Sequence, residues 1–186
     1  MTAENAEEGD NVIIVLVVLD NFARVNSDFT RDEGDRVIIE TGNHLKNYLG
    51  ESGTLYRVGG DEFGFIFKGQ MEKEDIFLLM EDMRKNYDVK LPDGMAMTIS
   101  IGIATAFENA SRYQELVRMA DSAMFRAKYN GRNKVALAKE EKMVPKTSHY
   151  TQDQLKRLNL LSKREGIGEA ILLREAMDML LKKYDV

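Results

Sequence analysis

The stretch Arg57–Phe63 constrains the fold of this chain more than any other. Apolar, strand-forming residues lie on both sides of it, and two such runs joined by glycine-led polar residues predict a β-hairpin. Gly59 and Gly60 can adopt positive φ and, because they lack a Cβ, they allow a ligand to approach the backbone closely. The hairpin tip is expected to expose two adjacent carboxylates, Asp61 and Glu62.

The remaining sequence alternates between strand and helix patterns. Residues 11–19 are nearly all Val, Ile and Leu, which predicts a short strand buried on both faces. The chain then turns at Asp20 and Asn21. Helical spacing follows at 34–49 and 72–86 and from 111 through 127, and Gly131 fits the position after the end of this third helix. Strand patterns occur at 97–106 and 134–138. Helices alternating with strands around a hairpin predict an α/β or α+β sheet domain.

Charge divides the chain near residue 139. Residues 139–186 hold 10 Lys and Arg against 8 Asp and Glu, whereas the rest holds 16 against 23. We therefore interpret residues 1–10 as a flexible tail, 11–138 as the sheet domain, 139–145 as a linker and 146–186 as a separate segment.

Composition excludes several classes of protein. The chain has no cysteine, which rules out disulfides and thiolate metal sites and fits a reducing compartment. No apolar run reaches the length of a membrane span. We expect a cytoplasmic protein without a membrane partner.

The hairpin and three further motifs resemble the GGDEF family of diguanylate cyclase domains, which is named after residues 59–63. The resemblance implies a nucleotidyl-cyclase, palm-like sheet with flanking helices, an α+β sandwich. It also implies the joining of two GTP molecules into cyclic di-GMP. The further motifs are Asp20-Asn21-Phe22 with Asn26 and Gly34-Asp35, then Thr98-Ile99-Ser100-Ile101-Gly102, then Ala120–Lys128 with Gly131-Arg132-Asn133.

The resemblance also assigns roles to individual residues. Asn26 can donate and accept hydrogen bonds, and Asp35 only accepts, which suits the N1–H and amine of guanine. Alternatively, Asp35 is an acid favoured near a helix N-terminus, and Lys128 and Arg132 are solvated cations. The implied catalytic residues are Asp61 and Glu62; the implied nucleotide-binding residues are Phe22, Asn26, Asp35, Gly59, Gly60, Lys128 and Arg132.

The sequence departs from the family at one metal ligand. The family holds Mg²⁺ with two carboxylates, and the resemblance places one at Asp61 and the other at Val18. Magnesium requires oxygen ligands, which a valine side chain does not offer. We expect a weakened Mg²⁺ site of Asp61 and the main-chain oxygen of Leu19, with Asp20 as a further candidate ligand.

The C-terminal segment has a strand–helix–helix pattern. Residues 146–151 predict a short strand, 152–164 a helix and 169–183 a second helix. This arrangement resembles the ribbon-helix-helix DNA-binding fold. A plain helical hairpin packed on the sheet domain is the alternative interpretation.

The ribbon-helix-helix resemblance implies a homodimer, because about forty residues bury too little surface to fold alone. Two copies would pair their strands into a ribbon that enters the major groove of DNA. Lys146, Ser148 and Tyr150 alternate onto one strand face and would meet the bases. Near Gly168, the second helix would offer backbone N–H groups to phosphate.

Three functions are compatible with these features. The first is a regulator that binds a guanine nucleotide (GTP or cyclic di-GMP), has weak or no cyclase activity, and binds DNA in response. The second is an active diguanylate cyclase, and the third is a dimerising scaffold. Val18 favours the first, whereas the intact signature keeps the second open.

Overall fold

The chain forms two compact units that divide between residues 141 and 142. The flexible tail expected at 1–10 lies outside the described residues, as does most of the linker expected at 139–145. In the part of the chain that the structure describes, no helix is long and apolar enough to cross a membrane. The structure, a computed structural model, describes residues 11–50, 53–69, 71–106, 113–139 and 145–184.

The first unit is built on a mixed five-stranded sheet with the strand order β2-β3-β1-β4-β5. The central strand β1 is antiparallel to both β3 and β4, and β4 is parallel to β5. The predicted hairpin is confirmed as β2 paired antiparallel with β3. The strands are β1 (Asn11–Leu19), β2 (Thr54–Arg57), β3 (Glu62–Gly69), β4 (Ile99–Thr105) and β5 (Val135–Leu137).

Helices cover both faces of this sheet, as expected for an α/β domain. Every residue of β1 from Ile13 to Leu19 is buried, which confirms the prediction for this strand. Side chains of α2 and α3 pack on one face, and α4 packs on the other. The helices are α1 (Phe22–Asp28), α2 (Arg31–Leu49), α3 (Lys73–Lys85) and α4 (Tyr113–Tyr129).

The sequence prediction was wrong between β1 and α2. Helix α1 forms where only a turn was expected; it starts after Asn21, which has a left-handed backbone, and it buries Phe22 and Val25. Helix α2 begins three residues earlier than predicted because Thr30 caps it, accepting a hydrogen bond from the Glu33 N–H at 3.3 Å.

Strand β4 and helix α4 lie in close backbone contact at Gly102. A Cβ on this glycine would lie 2.1 Å from the carbonyl oxygen of Ala120 and 2.3 Å from the backbone nitrogen of Met124. Both atoms are backbone, so neither can rotate away. Only glycine allows the helix to sit at this distance from the strand.

The second unit contains the two predicted helices, α5 (Gln152–Glu165) and α6 (Glu169–Lys183). A capping box between Thr151 and Gln154 opens α5. The predicted strand at 146–151 is not formed, and residues 145–150 lie exposed without regular structure. A ribbon strand obtains its hydrogen bonds from a second chain, so one chain by itself cannot form it.

We predict that Gly102→Ala destabilises the sheet domain by about 1–3 kcal/mol, because the added methyl forces α4 away from β4. Urea unfolding of the full chain measures this change. Gly60→Ala is the matched control, since a Cβ at Gly60 meets nothing within 4 Å. Equal stability of the two variants would show that the helix has room to move.

Candidate functional site

The loop between β2 and β3 is closed by its own hydrogen bonds. The backbone N–H groups of Val58 and Gly59 both donate to the Glu62 carbonyl, at 3.0 and 3.3 Å. The Arg57 guanidinium donates from Nε to the Gly59 carbonyl at 3.2 Å and from Nη2 to the Gly60 carbonyl at 2.8 Å. Arg57 therefore fixes the loop in one shape, a role that the sequence prediction missed.

The two signature glycines do not use the conformation that the sequence permitted. Neither Gly59 nor Gly60 has positive φ. These two positions instead use the small size of glycine. A Cβ on Gly59 would lie 3.0 Å from Oε2 of Glu62, whereas a Cβ on Gly60 would meet no atom within 4 Å. Gly59 thus leaves room for the Glu62 carboxylate, and Gly60 leaves room for an approaching group.

The end of β1 lies directly against the signature loop. The Leu19 N–H donates to the Asp61 carbonyl at 3.0 Å, and Val18 is the register partner of Glu62. The N–H and C=O of one strand residue point the same way, so the Leu19 carbonyl faces the Asp61 side. The structure therefore brings together three of the residues predicted for catalysis and metal binding, Leu19, Asp61 and Glu62, and it places Val18 beside them.

The oxygen ligands at this point fit Mg²⁺ poorly. Val18 is only 1% exposed and packs in the apolar cluster beneath α4. Asp20 is buried, and its carboxylate already accepts three hydrogen bonds. Within the described ranges, no three acidic or histidine side chains group around one point. The remaining candidates are the Asp61 carboxylate and the Leu19 carbonyl, so this point offers one carboxylate where the family resemblance implies two.

The predicted guanine-reading residues lie on two neighbouring helices. Asn26 is exposed on α1 and Asp35 is exposed on α2. Gly34 lies beneath Asn26: a Cβ there would be 2.5 Å from Oδ1 of Asn26 and 3.4 Å from the ring of Phe22. Because α2 starts at Arg31, Asp35 lies beyond its first turn, which weakens the interpretation of Asp35 as a helix-dipole acid.

Phe22 is buried in the main core cluster rather than displayed at the surface. Its ring packs next to Gly34 of α2, where an added Cβ would lie 3.4 Å from the ring. A nucleotide contact by Phe22 stays a prediction.

The predicted phosphate-binding cations lie at the end of α4. The helix closes with a Schellman motif, in which the Arg132 N–H donates to the Ala127 carbonyl at 3.0 Å and the Gly131 N–H to the Lys128 carbonyl at 3.3 Å. The φ of Gly131 is 104°, as the predicted cap requires. Nε of Arg132 is buried and has no hydrogen-bond partner among the described residues. An anion would satisfy this donor.

The predicted DNA-contacting residues lie in the second unit. Lys146, Ser148 and Tyr150 are exposed ahead of α5. Gly168 is exposed immediately before α6, and its carbonyl accepts the Ile171 N–H at 2.9 Å, which starts that helix. Contact of these residues with DNA stays a prediction.

Arg84 on α3 is a contributor that the sequence did not indicate. Its Nη1 donates to Oδ1 of Asn133 at 2.7 Å, in the turn after α4. The same guanidinium hydrogen-bonds Glu81 at 2.8 Å and lowers the pKa of that carboxyl. Asn133 belonged to a recognised motif, but no local pattern joined it to Arg84.

The sequence matches the models of two protein families. Residues 2–134 match the family model described as diguanylate cyclase, GGDEF domain. The chain belongs to the GGDEF diguanylate cyclase family. Residues 143–185 of this GGDEF protein match the model of the ribbon-helix-helix domain.

Individual relatives agree with this assignment. The chain is 32% identical over 144 residues to the "Probable diguanylate cyclase DgcT" of Escherichia coli, covering 74% of this chain and 32% of DgcT. It is 28% identical over 139 residues to diguanylate cyclase A of Treponema denticola, covering 73% of this chain and 37% of that protein. The chain thus spans about a third of the length of these relatives.

Solved structures show the same fold. The GGDEF domain of YfiN (TpbB) from Pseudomonas aeruginosa superposes with a TM-score of 0.68 at 26% identity, covering 73% of this chain and 86% of that one. The GGDEF domain of DgcB from Caulobacter crescentus, solved in complex with c-di-GMP, has a TM-score of 0.66 at 24% identity, covering 73% and 82%.

We predict that Gly34→Ala displaces the Asn26 amide, because the added methyl occupies the position of Oδ1. Stability is expected to hold or rise, since alanine favours a helix over glycine by about 1 kcal/mol. Gly42→Ala on the same helix is the matched control, because its nearest neighbour is the Phe63 ring at 3.5 Å. NMR of the Asn26 side-chain amide should show a shift in the first variant only.

Proposed function

We propose that this chain is a guanine-nucleotide-binding regulator with weak or no cyclase activity. In this proposal, the GGDEF domain binds GTP or cyclic di-GMP, and the C-terminal segment dimerises and binds DNA in a nucleotide-responsive way. The proposal assigns guanine recognition to Asn26 and Asp35 and phosphate binding to Lys128 and Arg132. The buried, unsatisfied Nε of Arg132 supports an anionic ligand.

The burial of Val18 is the observation that supports low turnover. The side chain at this strand position contributes to the apolar contact with α4 and supplies no oxygen. A metal held by fewer carboxylates gives less stabilisation to the charge that develops during phosphoryl transfer. We therefore assign the site a weak affinity for Mg²⁺.

An active diguanylate cyclase is the second candidate. The closed loop around Gly59 and Gly60, and the position of Asp61 beside Leu19, favour it. In that case the Leu19 carbonyl or Asp20 would replace the missing carboxylate.

The second unit supports a partner-dependent role. No residue among 145–181, 183 and 184, whose burial is described, is buried. A unit without a core is not stable by itself, and its apolar surface requires a cover. Its exposed large apolar residues are Tyr150, Leu155, Leu160, Leu161, Met177, Met179, Leu180, Leu181 and Tyr184.

Calorimetry with GTP and ATP in EDTA tests the proposed nucleotide site. We expect a preference for GTP of about tenfold or more, because a mismatched base leaves polar groups unpaired at about 1–3 kcal/mol each. Asp35→Asn should reduce this preference. Asp32→Asn, which changes another exposed acid of α2, should not. Equal affinity for the two nucleotides would refute guanine recognition.

We predict no or very low cyclic di-GMP production by the unmodified chain with Mg²⁺, measured by product chromatography. Val18→Asp should bind GTP more tightly in Mg²⁺, and Mg²⁺ should raise its melting temperature because the metal offsets a buried carboxylate. Val18→Asn, of equal size and without charge, should show neither effect. Robust turnover by the unmodified chain would instead establish the active cyclase.

We predict that the full chain is a dimer at micromolar concentration and that residues 1–138 are monomeric, as measured by light scattering. A dimer would hold two nucleotide domains at a local concentration on the order of millimolar for a short linker. Two-fold symmetry would let one symmetric dinucleotide bridge both guanine sites. A monomeric full chain would exclude the ribbon, and with it this mode of DNA binding.

A further inference from the structure

Asp20 is the first residue after β1 and is 2% exposed. Its carboxylate accepts three hydrogen bonds, all from neutral donors. Oδ1 accepts from the Ser100 hydroxyl at 2.8 Å; Oδ2 accepts from the Thr98 hydroxyl at 2.8 Å and from the backbone N–H of Asn133 at 3.0 Å. The first two donors belong to the neighbouring strand region, but Asn133 belongs to the turn that follows α4.

The backbone of that turn has an unfavourable conformation that neighbouring groups must stabilise. Arg132 and Asn133 have φ values of 61° and 48°, in the left-handed region that non-glycine residues rarely occupy. Such conformations persist only where the surrounding structure holds them. Asp20 holds Asn133 through its backbone, and Arg84 holds it through its side chain. The turn is therefore fixed from two sides.

We propose that Asp20 is a positioning residue that anchors the phosphate-binding turn, and that it is not a metal ligand. The anchored turn carries Arg132 and follows directly on the last turn of α4, which carries Lys128. The role as a positioning residue rests on the proposed function, since it requires these two cations to bind the nucleotide phosphates. The anchoring itself does not require a nucleotide.

The acceptor capacity of the carboxylate argues for this assignment. A carboxylate has about four lone-pair directions, and three donors already occupy Asp20. A metal ion at Oδ2 would displace the Asn133 N–H or the Thr98 hydroxyl. A buried donor that loses its acceptor costs about 1–3 kcal/mol, so metal binding at Oδ2 that displaced the Asn133 N–H would release the turn.

Two substitutions of Asp20 distinguish the effect of its hydrogen bonds to the turn from the effect of its negative charge. Asp20→Asn keeps one carbonyl oxygen for Thr98 and Asn133, and its amide can donate to the Ser100 hydroxyl, so the anchor survives while the charge is lost. Asp20→Ala removes the acceptor altogether. Thr41→Val controls for general destabilisation, because it deletes another buried hydroxyl, hydrogen-bonded to Tyr87 at 2.6 Å.

Two measurements on the full chain are compared across these variants: amide exchange at Asn133 by NMR, and GTP affinity by calorimetry in excess EDTA. In Asp20→Asn and Thr41→Val, we expect the Asn133 amide to stay protected from exchange. The Kd of both variants for GTP should lie within about threefold of that of the unmodified chain. Asp20→Ala should expose that amide and weaken GTP binding about tenfold. If Asp20→Ala does not fold, Thr98→Val combined with Ser100→Ala, which leaves the carboxylate unoriented, should show the same losses.

Several outcomes would overturn the proposal. Protection of the Asn133 amide in Asp20→Ala would show that the turn holds itself. Equal losses of Asn133 amide protection and of GTP affinity in Asp20→Asn and Asp20→Ala, measured in EDTA, would show that the charge of Asp20, rather than its hydrogen bonds to the turn, is responsible. If both variants bind GTP normally in EDTA but lose affinity in a parallel titration with Mg²⁺, Asp20 is established as a metal ligand.

Failure of the proposed function is distinguishable from these results. If the unmodified chain binds no guanine nucleotide in EDTA, the nucleotide site and the positioning role built on it are both refuted. The exchange of the Asn133 amide still decides whether Asp20 anchors the turn.

Discussion

The pairing of β1 along both of its edges is the constraint on which the rest of the sheet domain depends. This strand is antiparallel to β3 on one side and to β4 on the other, and it is buried on both faces. Its last backbone groups continue both ladders: the Leu19 N–H reaches Asp61, and the Asp20 N–H reaches Thr98 at 2.9 Å. The end of β1 therefore fixes the signature hairpin on one side and the β4 region on the other. Helix α1, which carries Asn26, begins only two residues later.

Val18 shows how one position serves either packing or chemistry. Its neighbours across the sheet are Glu62 on β3 and Ser100 on β4, so its side chain shares a face with theirs. As valine, it adds apolar contact with α4 and requires no partner. A carboxylate at this depth would be costly unless a metal or hydrogen-bond donors compensated for its lost hydration. With valine at position 18, the end of β1 contributes apolar packing and no side-chain oxygen.

The two units reach stability by different means. The first has a core on each side of its sheet, and close backbone approach at Gly102 brings α4 into contact with β4. In the second, no residue among 145–181, 183 and 184, whose burial is described, is buried. Its helices nevertheless carry good local signals, such as the capping box at Thr151 and the left-handed Gly166 at the end of α5. Local signals determine where such helices begin and end, but only tertiary or quaternary packing supplies most of their stability.

The sequence by itself determined the elements that have a local pattern. Apolar runs predicted β1 and the hairpin, 3.6-residue spacing predicted α2 to α6, and Gly131 predicted the end of α4. Only the tertiary structure decided the rest. Helix α1 is held by burial of Phe22 rather than by a side-chain cap, and the signature glycines leave room for neighbouring groups instead of adopting positive φ. The three donors to Asp20 lie 78, 80 and 113 residues away along the chain. No periodicity records such contacts, because they arise from the meeting of distant segments in the folded sheet.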